Sequence, residues 1–254
     1  AQGNTGTVAQ IARKFVGSQP AAILAISTPA AQAVVAATKQ IPVVYGAVTD
    51  PVAAQLVKTM GPSGTNVTGV SDRLEPGRQV ELIRKIVPSV KTVGMIYNPA
   101  EANSKVAVNE MKAALSKAGI ELVEAAAPRS VDVGQAARRL VGKVDLIYTG
   151  TDNNVVAAYE AVAKVGNDAK IPLVAADTGS IRRGALAVLS VDYRDLGKQA
   201  GQQIVRILKG EKPGDMASET SENLVLILNL EAARKQGVEL SAQLQSEASE
   251  ILGR

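Results

Sequence analysis

Val93-Gly94-Met95-Ile96-Tyr97-Asn98-Pro99-Ala100-Glu101-Ala102-Asn103-Ser104 reads as a buried strand joined by a polar turn to a helix. An apolar run without polar alternation suits a strand covered on both faces. Past the turn, Val108, Met111, Leu115 and Ala118 fall on one helical face, and Gly119 ends the helix. A strand leading into an amphipathic helix is the repeating element of a parallel α/β fold.

The alternation extends in both directions. Upstream, Val8, Ile11, Ala12, Phe15 and Val16 lie at helical spacing before Gly17. The run Ala21–Ile26 follows, closed by Ser27-Thr28-Pro29, and then an Ala-rich helix to about Lys39. Ile41-Pro42-Val43-Val44-Tyr45 is closed by Thr49-Asp50-Pro51, and a helix with Val80, Ile83 and Val87 leads to Val93. Downstream come Ile120–Ala126, a helix through Arg138, Val144–Tyr148, a helix with Val155, Tyr159 and Val162, and Ile171–Ala175. Ala185–Val191 precedes a helix striped by Leu196, Ala200, Ile204, Ile207 and Leu208 that stops at Gly210. Leu224–Leu228 is the last run before one or two closing helices. This order predicts an α/β protein whose parallel sheets are flanked by helices.

Ile41-Pro42-Val43-Val44 and Ile171-Pro172-Leu173-Val174 echo each other at a distance of about one α/β lobe. The Gly/Pro/Ser-rich segment 61–72 reads as the crossover between two lobes. Two strand-like runs precede it and six follow. A two-stranded parallel sheet is not stable alone, so either the chain's beginning is missing or another segment completes the first sheet. The crossover places the end of the first lobe at about residue 67.

The 254 residues are 46% hydrophobic and 20% charged, the balance of a packed protein. Cysteine and histidine are both absent. That excludes thiol nucleophiles, disulfides, Cys/His zinc sites and imidazole acid–base chemistry. The net charge of +4 is scattered, and aromatics are 2% of the chain. Nucleic-acid surfaces need a basic stripe and stacking rings, so no nucleic-acid partner is expected. No apolar stretch approaches the roughly 20 residues of a membrane span. The start, Ala1-Gln2-Gly3-Asn4, carries neither an initiator Met nor a signal peptide and reads as a mature product or a fragment. No Gly-x-Gly-x-x-Gly or Walker-type loop follows any strand, so no cofactor is expected. Tyr193 and Lys198 are five apart, which does not fit a Tyr-Lys dehydrogenase pair.

Open parallel sheets bind ligands beyond the carboxyl ends of their strands. The residues there are polar: Ser27 and Thr28, Thr49 and Asp50, Asn98, Thr149 to Asn153, and Asp177 with Thr178. Such residues are also preferred helix N-caps. Taken as a set, they point to a crevice for a polar ligand. Around Asn98, the helix start with Asn103 and Ser104 would suit a carboxylate or another small anion. Asp152 and Asp177, at neighbouring exits, could pair with an ammonium. Two carboxylates could also serve a glycosidase, although the aromatic platforms common in sugar-cleaving sites are missing.

Four stretches carry a family resemblance: Ala25-Ile26-Ser27-Thr28-Pro29-Ala30-Ala31-Gln32, Ala47-Val48-Thr49-Asp50-Pro51-Val52, Asn66-Val67-Thr68-Gly69-Val70-Ser71-Asp72 and Tyr97 to Ser104. With Thr151-Asp152-Asn153-Asn154-Val155-Val156 and Ile171 to Asp177, the chain resembles ABC-transporter substrate-binding proteins of the tryptophan/tyrosine-uptake type over nearly its whole length. The resemblance implies a type I periplasmic-binding-protein fold of two α/β lobes around a hinge, crossed three times, with helix 195–209 packing back on the first lobe, so the expected division is residues 1–67 plus helix 195–209 against 68–194 plus 218–254. Members of that family begin with a strand, a helix and a second strand, about 50 residues, ahead of this start. Ala1–Asn4 would then be the tail of the second strand, and the first lobe would lack its N-terminal strand-helix-strand.

Carried over residue by residue, the resemblance implies that Ser27, Thr28, Thr49, Asp50, Asn98, Asn103, Ser104, Asp152, Asn153 and Asp177 bind the ligand. Asn103 and Ser104 would hold an amino-acid carboxylate, and Asp177 or Asp152 its ammonium. Tyr45, Tyr97 and Tyr148 are the aromatic neighbours on offer. Implied partners are an amino acid and ABC permease subunits, with the chain itself neither an enzyme nor membrane-spanning. The implied location is periplasmic or extracellular, with a lipid anchor on a full-length precursor as one form of it. A ligand-sensing domain of a transcriptional regulator or receptor, built on the same fold, is the alternative.

Overall fold

Short β-branched runs with polar exits become parallel strands in a computed structural model, which describes residues 5–253. The chain opens with α1 (Thr5–Gly17), β1 (Ile23–Ile26), α2 (Thr28–Ala37), β2 (Val43–Gly46) and β3 (Val67–Ser71). It continues with α3 (Pro76–Ile86), β4 (Thr92–Tyr97), α4 (Ala102–Lys117), β5 (Glu121–Ala126), α5 (Val133–Arg138) and β6 (Leu146–Thr149). Next come α6 (Asn153–Ala157), α7 (Tyr159–Ala169), β7 (Leu173–Ala175), β8 (Ala187–Val191) and α8 (Tyr193–Leu208). The end carries β9 (Glu219–Thr220), β10 (Leu224–Asn229), α9 (Leu230–Lys235), α10 (Ala242–Glu247) and β11 (Glu250–Leu252). No helix among the described residues is long and apolar enough to cross a membrane.

Contacts divide the chain into two units. The first holds the described residues through Arg73, with Glu101–Asn103 and Val191–Asn223. Its sheet has the order β1-β2-β3-β9, and each pairing is parallel. Ile23, Ala25, Val43, Tyr45 and Val67 pack with Ala31, Val34 and Val35 of α2 to form its core. Each large side chain so buried contributes roughly 1.5–3 kcal/mol. Gly69 is what lets Tyr45 fill this core: a β-carbon there would overlap the Tyr45 carbonyl and ring. β1 is an edge strand, with Leu24 43% and Ile26 64% exposed.

The segment expected to be a crossover therefore contains the third strand of this sheet. Among the described residues the first sheet is made of β1, β2, β3 and β9. Thr68, Gly69 and Ser71 make β3 short and polar in sequence, yet all five of its residues are buried. The first crossing accordingly falls after Arg73 rather than after residue 67, and the last after Asn223, because β9 pairs with β3. Helix α8 belongs to the first unit. Ala1–Asn4, expected to be the tail of a strand, lie outside the described residues.

The second unit holds Leu74–Ala100, Ser104–Ser190 and the chain from Leu224. Its seven-stranded sheet has the order β11-β10-β8-β7-β6-β4-β5. The pairs β4–β5, β4–β6, β6–β7, β7–β8 and β10–β11 are parallel. Successive strand residues point to opposite faces, so Met95 joins Leu82, Ile83, Met111 and Leu115 in one core while Ile96 joins Leu140, Tyr159 and Val162 in the other. Helices thus cover both faces, which is why these strands read as unbroken apolar runs.

Candidate functional site

In the first unit three strand exits lie side by side. The N–H of Ser27 donates to the Gly46 carbonyl at 3.0 Å, tying the β1 exit to β2. Ser27 holds φ 81° and ψ 153°, a region that only glycine enters without strain. Its side chain makes no capping bond, and Thr28 beside it is buried. At the β2 exit Thr49 is buried, and Asp50 Oδ1 accepts from the N–H groups of Val52 and Ala53 at 3.0 and 2.9 Å. Asp50 Oδ2 meets the Arg73 guanidinium at 3.4 Å. The Ser71 hydroxyl donates to the Thr49 carbonyl at 3.0 Å and locks the β2 and β3 exits together.

The residue after Ser71 is Asp72, which the sequence reading did not select. It is 4% exposed, and its Oδ2 accepts from the Tyr193 hydroxyl at 3.3 Å. Burial pushes its carboxyl up to about 6, while the hydroxyls of Thr49 and Tyr193 pull the other way. Its signal was available as an acid at the exit of Val67–Ser71, had that run been read as a strand.

In the second unit Asp152 is the centre of a hydrogen-bond frame. As N-cap of α6 its Oδ1 accepts from the N–H groups of Asn154 and Val155 at 2.9 and 3.0 Å. Its Oδ2 accepts from the Asn98 N–H and the Ser104 hydroxyl, both at 2.6 Å. One buried carboxylate thereby fixes the β4 exit, the start of α4 and the start of α6. Asn98 Oδ1 in turn accepts from the Ala100 N–H at 3.0 Å. Asn153, half-buried, is the first residue of α6.

Asp177 stands at the adjacent exit, since β6 pairs with β7 and the Ala176 N–H donates to the Thr149 carbonyl at 2.9 Å. It caps the 3₁₀ turn Thr178–Arg183, accepting from the Gly179 N–H at 3.1 Å and from the Ser180 N–H and hydroxyl at 3.0 and 2.5 Å. Arg183 closes that turn on the Glu160 carboxylate at 2.7 and 2.5 Å, holding it down to about 2. Asn103, counted with the first unit, is buried and donates to Glu101 Oε2 at 3.2 Å.

The structure therefore brings Asn98, Ser104 and Asp152 into direct contact and places Ser27, Thr49 and Asp50 on adjoining exits. Tyr45 and Tyr148 lie within the two units' cores, where burial raises both phenols, that of Tyr45 to about 12. The Tyr97 hydroxyl donates to Glu124 at 3.0 Å. Among the described residues no cluster of three His, Cys, Asp or Glu is placed to hold a metal ion. Amides, hydroxyls and carboxylates at strand exits can recognise a small polar or charged ligand by hydrogen bonds and charge.

The family model described as "ABC transporter substrate binding protein" matches residues 1–252. A curated relative from Clostridioides difficile (strain R20291), named "Tyrosine-binding protein", is 42% identical over 229 residues. That match takes in 90% of this chain and 66% of the relative, so this chain spans just under two thirds of the relative's length. A solved structure of a conserved domain protein from Vibrio cholerae is 42% identical with a TM-score of 0.96, covering 99% of this chain and 85% of that one. The crystal structure of an ABC domain in complex with L-Trp from Streptococcus pneumonia is 34% identical with a TM-score of 0.93, covering 98% and 86%. The fold is accordingly that of a type I periplasmic binding protein, with α/β lobes of parallel strands flanked by helices.

Proposed function

Because the chain belongs to the ABC transporter substrate binding protein family, we propose that it binds a small amino acid, preferentially an aromatic one, and passes it unchanged to the permease subunits of an uptake transporter. It works in the periplasm or outside the cell, and binding involves no chemical turnover. The names of the similar proteins support tyrosine or tryptophan as the ligand. The observation that carries the reading is the Asp152 frame. A buried carboxylate that positions the exits of two strands and the starts of two helices is the kind of rigid support a ligand subsite needs.

The ligand contacts come from Ser27, Thr28, Thr49 and Asp50 in the first unit, with Asn103. From the second come Asn98, Ser104, Asn153 and Asp177. Asn103 and Ser104 at the start of α4 receive the carboxylate, where the helix dipole favours negative charge. Asp152 has four protein donors on its two oxygens, which makes it the support of this group.

Thermal-shift screening and calorimetry against the twenty amino acids test the proposal. Saturable, metal-independent stabilisation by tryptophan or tyrosine is expected. A chain stabilised by no amino acid would refute it.

A further inference from the structure

At the carboxyl end of the first unit's sheet stands a buried carboxylate, Asp72, that makes no ion pair among the described residues. Asp72 Oδ1 has no hydrogen-bond partner among the described residues, and the carboxylate otherwise meets the hydroxyls of Thr49 and of Tyr193, the latter at a long 3.3 Å from Oδ2. The adjacent arginine, Arg73, reaches Asp50. The other strand-exit acids differ. Asp50, Asp152 and Asp177 each accept from two backbone N–H groups on their own caps, and Asp152 from a third on a neighbouring loop. A carboxylate buried to this degree and left half-satisfied works against folding unless something completes it.

Position suggests what does. β2 and β3 run in parallel register, Gly46 opposite Val70, so Asp72 emerges level with the residues leading to Thr49. Ser71 ties that exit to Thr49, and Ser27 ties the β1 exit to Gly46. The acid therefore shares the strand-end edge where open sheets bind ligands. An ammonium supplies both things it lacks, a hydrogen-bond donor to Oδ1 and a compensating positive charge.

We propose that Asp72 receives the ammonium group of the amino-acid ligand, with Tyr193 as a positioning residue that steadies the carboxylate. This assignment rests on the function proposed above and gives the site its selectivity for an amino acid over the corresponding carboxylic acid.

Calorimetry on wild type and Asp72→Asn tests it, with four probes: L-tryptophan, L-tyrosine, and their des-amino counterparts indolepropionate and hydroxyphenylpropionate. Wild type should bind its amino acid at least about 30-fold more tightly than the des-amino counterpart. Asp72→Asn should lose at least about 30-fold for the amino acid and change little for the des-amino acid. Without ligand it should melt at or above the wild-type temperature, because no charge is then buried. Equal amino-acid affinity in the two proteins overturns the assignment and leaves the binding function standing. So does a wild type that does not distinguish the des-amino acids. An Asp72→Asn chain that melts below wild type makes the carboxylate a structural group and overturns it too. A wild type that binds neither amino acid overturns the function and the assignment together.

Discussion

Replacing Asp152 by alanine should unlatch the frame at the second unit's strand exits. Four donors lose their acceptor: the N–H groups of Asn154 and Val155, the N–H of Asn98 and the hydroxyl of Ser104. Losing the helix cap costs about 1 kcal/mol. Leaving the Asn98 N–H buried without a partner costs about 1–3 kcal/mol, and the Ser104 hydroxyl adds less because it can rotate. The total is about 3–5 kcal/mol, a fall in melting temperature of roughly 6–20 °C. Asp152→Asn keeps one acceptor oxygen for the α6 cap but turns an NH₂ group toward the Asn98 N–H, so it should lose about 2 kcal/mol. Urea unfolding followed by circular dichroism, together with tryptophan and tyrosine titrations, reads both effects. The expected order of stability is wild type, then Asn, then Ala. If Asp152→Ala unfolds within about 1 kcal/mol of wild type, the carboxylate is no keystone. If that variant also loses ligand binding, the carboxylate contacts the ligand directly.

Three other outcomes follow from the geometry. The Asp72 carboxyl is raised from its ordinary 3.8 to about 6, so the folded chain holds a proton there that the unfolded chain releases. Its contribution to stability is therefore complete below about pH 4 and declines as pH rises through 6. The carboxylate faces the hydroxyls of Thr49 and Tyr193, with the Arg73–Asp50 pair next along the chain. The unfolding free energy of wild type minus that of Asp72→Asn should fall by up to about 3 kcal/mol between pH 4 and pH 7, and a flat difference would count against the shift. Ser27→Gly should stabilise by about 1 kcal/mol by relieving its backbone, net of the entropy of glycine. Ser27→Ala should give no such gain, so an Ala variant more stable than the Gly variant in urea would contradict the strain. Gly69→Ala forces a β-carbon into Tyr45 and should cost about 2–3 kcal/mol in the same assay; a neutral effect would show that Tyr45 can move aside.

Much of the second unit was legible from the chain alone. Strands such as Thr92–Tyr97 and Leu146–Thr149 lie between two helical layers, so both faces must be apolar and the run stands out. Helices such as α4 carry one buried stripe and end at a glycine, which sets their phase. Val67–Ser71 was not legible, because a buried strand of Thr, Gly and Ser looks like a turn until its neighbours are known. Gly69 is needed there by the ring of Tyr45, which lies more than twenty positions away. The sheet of the first unit and the position of its crossing follow from the pairing of this strand with β2 and β9.

The same divide runs through the site. Composition and strand-end polarity, local properties of the chain, determined that a polar ligand crevice was the better reading and that thiol and imidazole chemistry were excluded. Which acid is occupied by the protein itself and which is left for something else depends on donors supplied by distant segments. Asp152 draws partners from Asn98 and Ser104, some fifty positions upstream, while Asp72 meets the hydroxyls of Thr49 and Tyr193 and keeps Oδ1 without a partner among the described residues. Satisfying a buried carboxylate requires donors within about 3 Å, and only the folded chain decides which residues come that close.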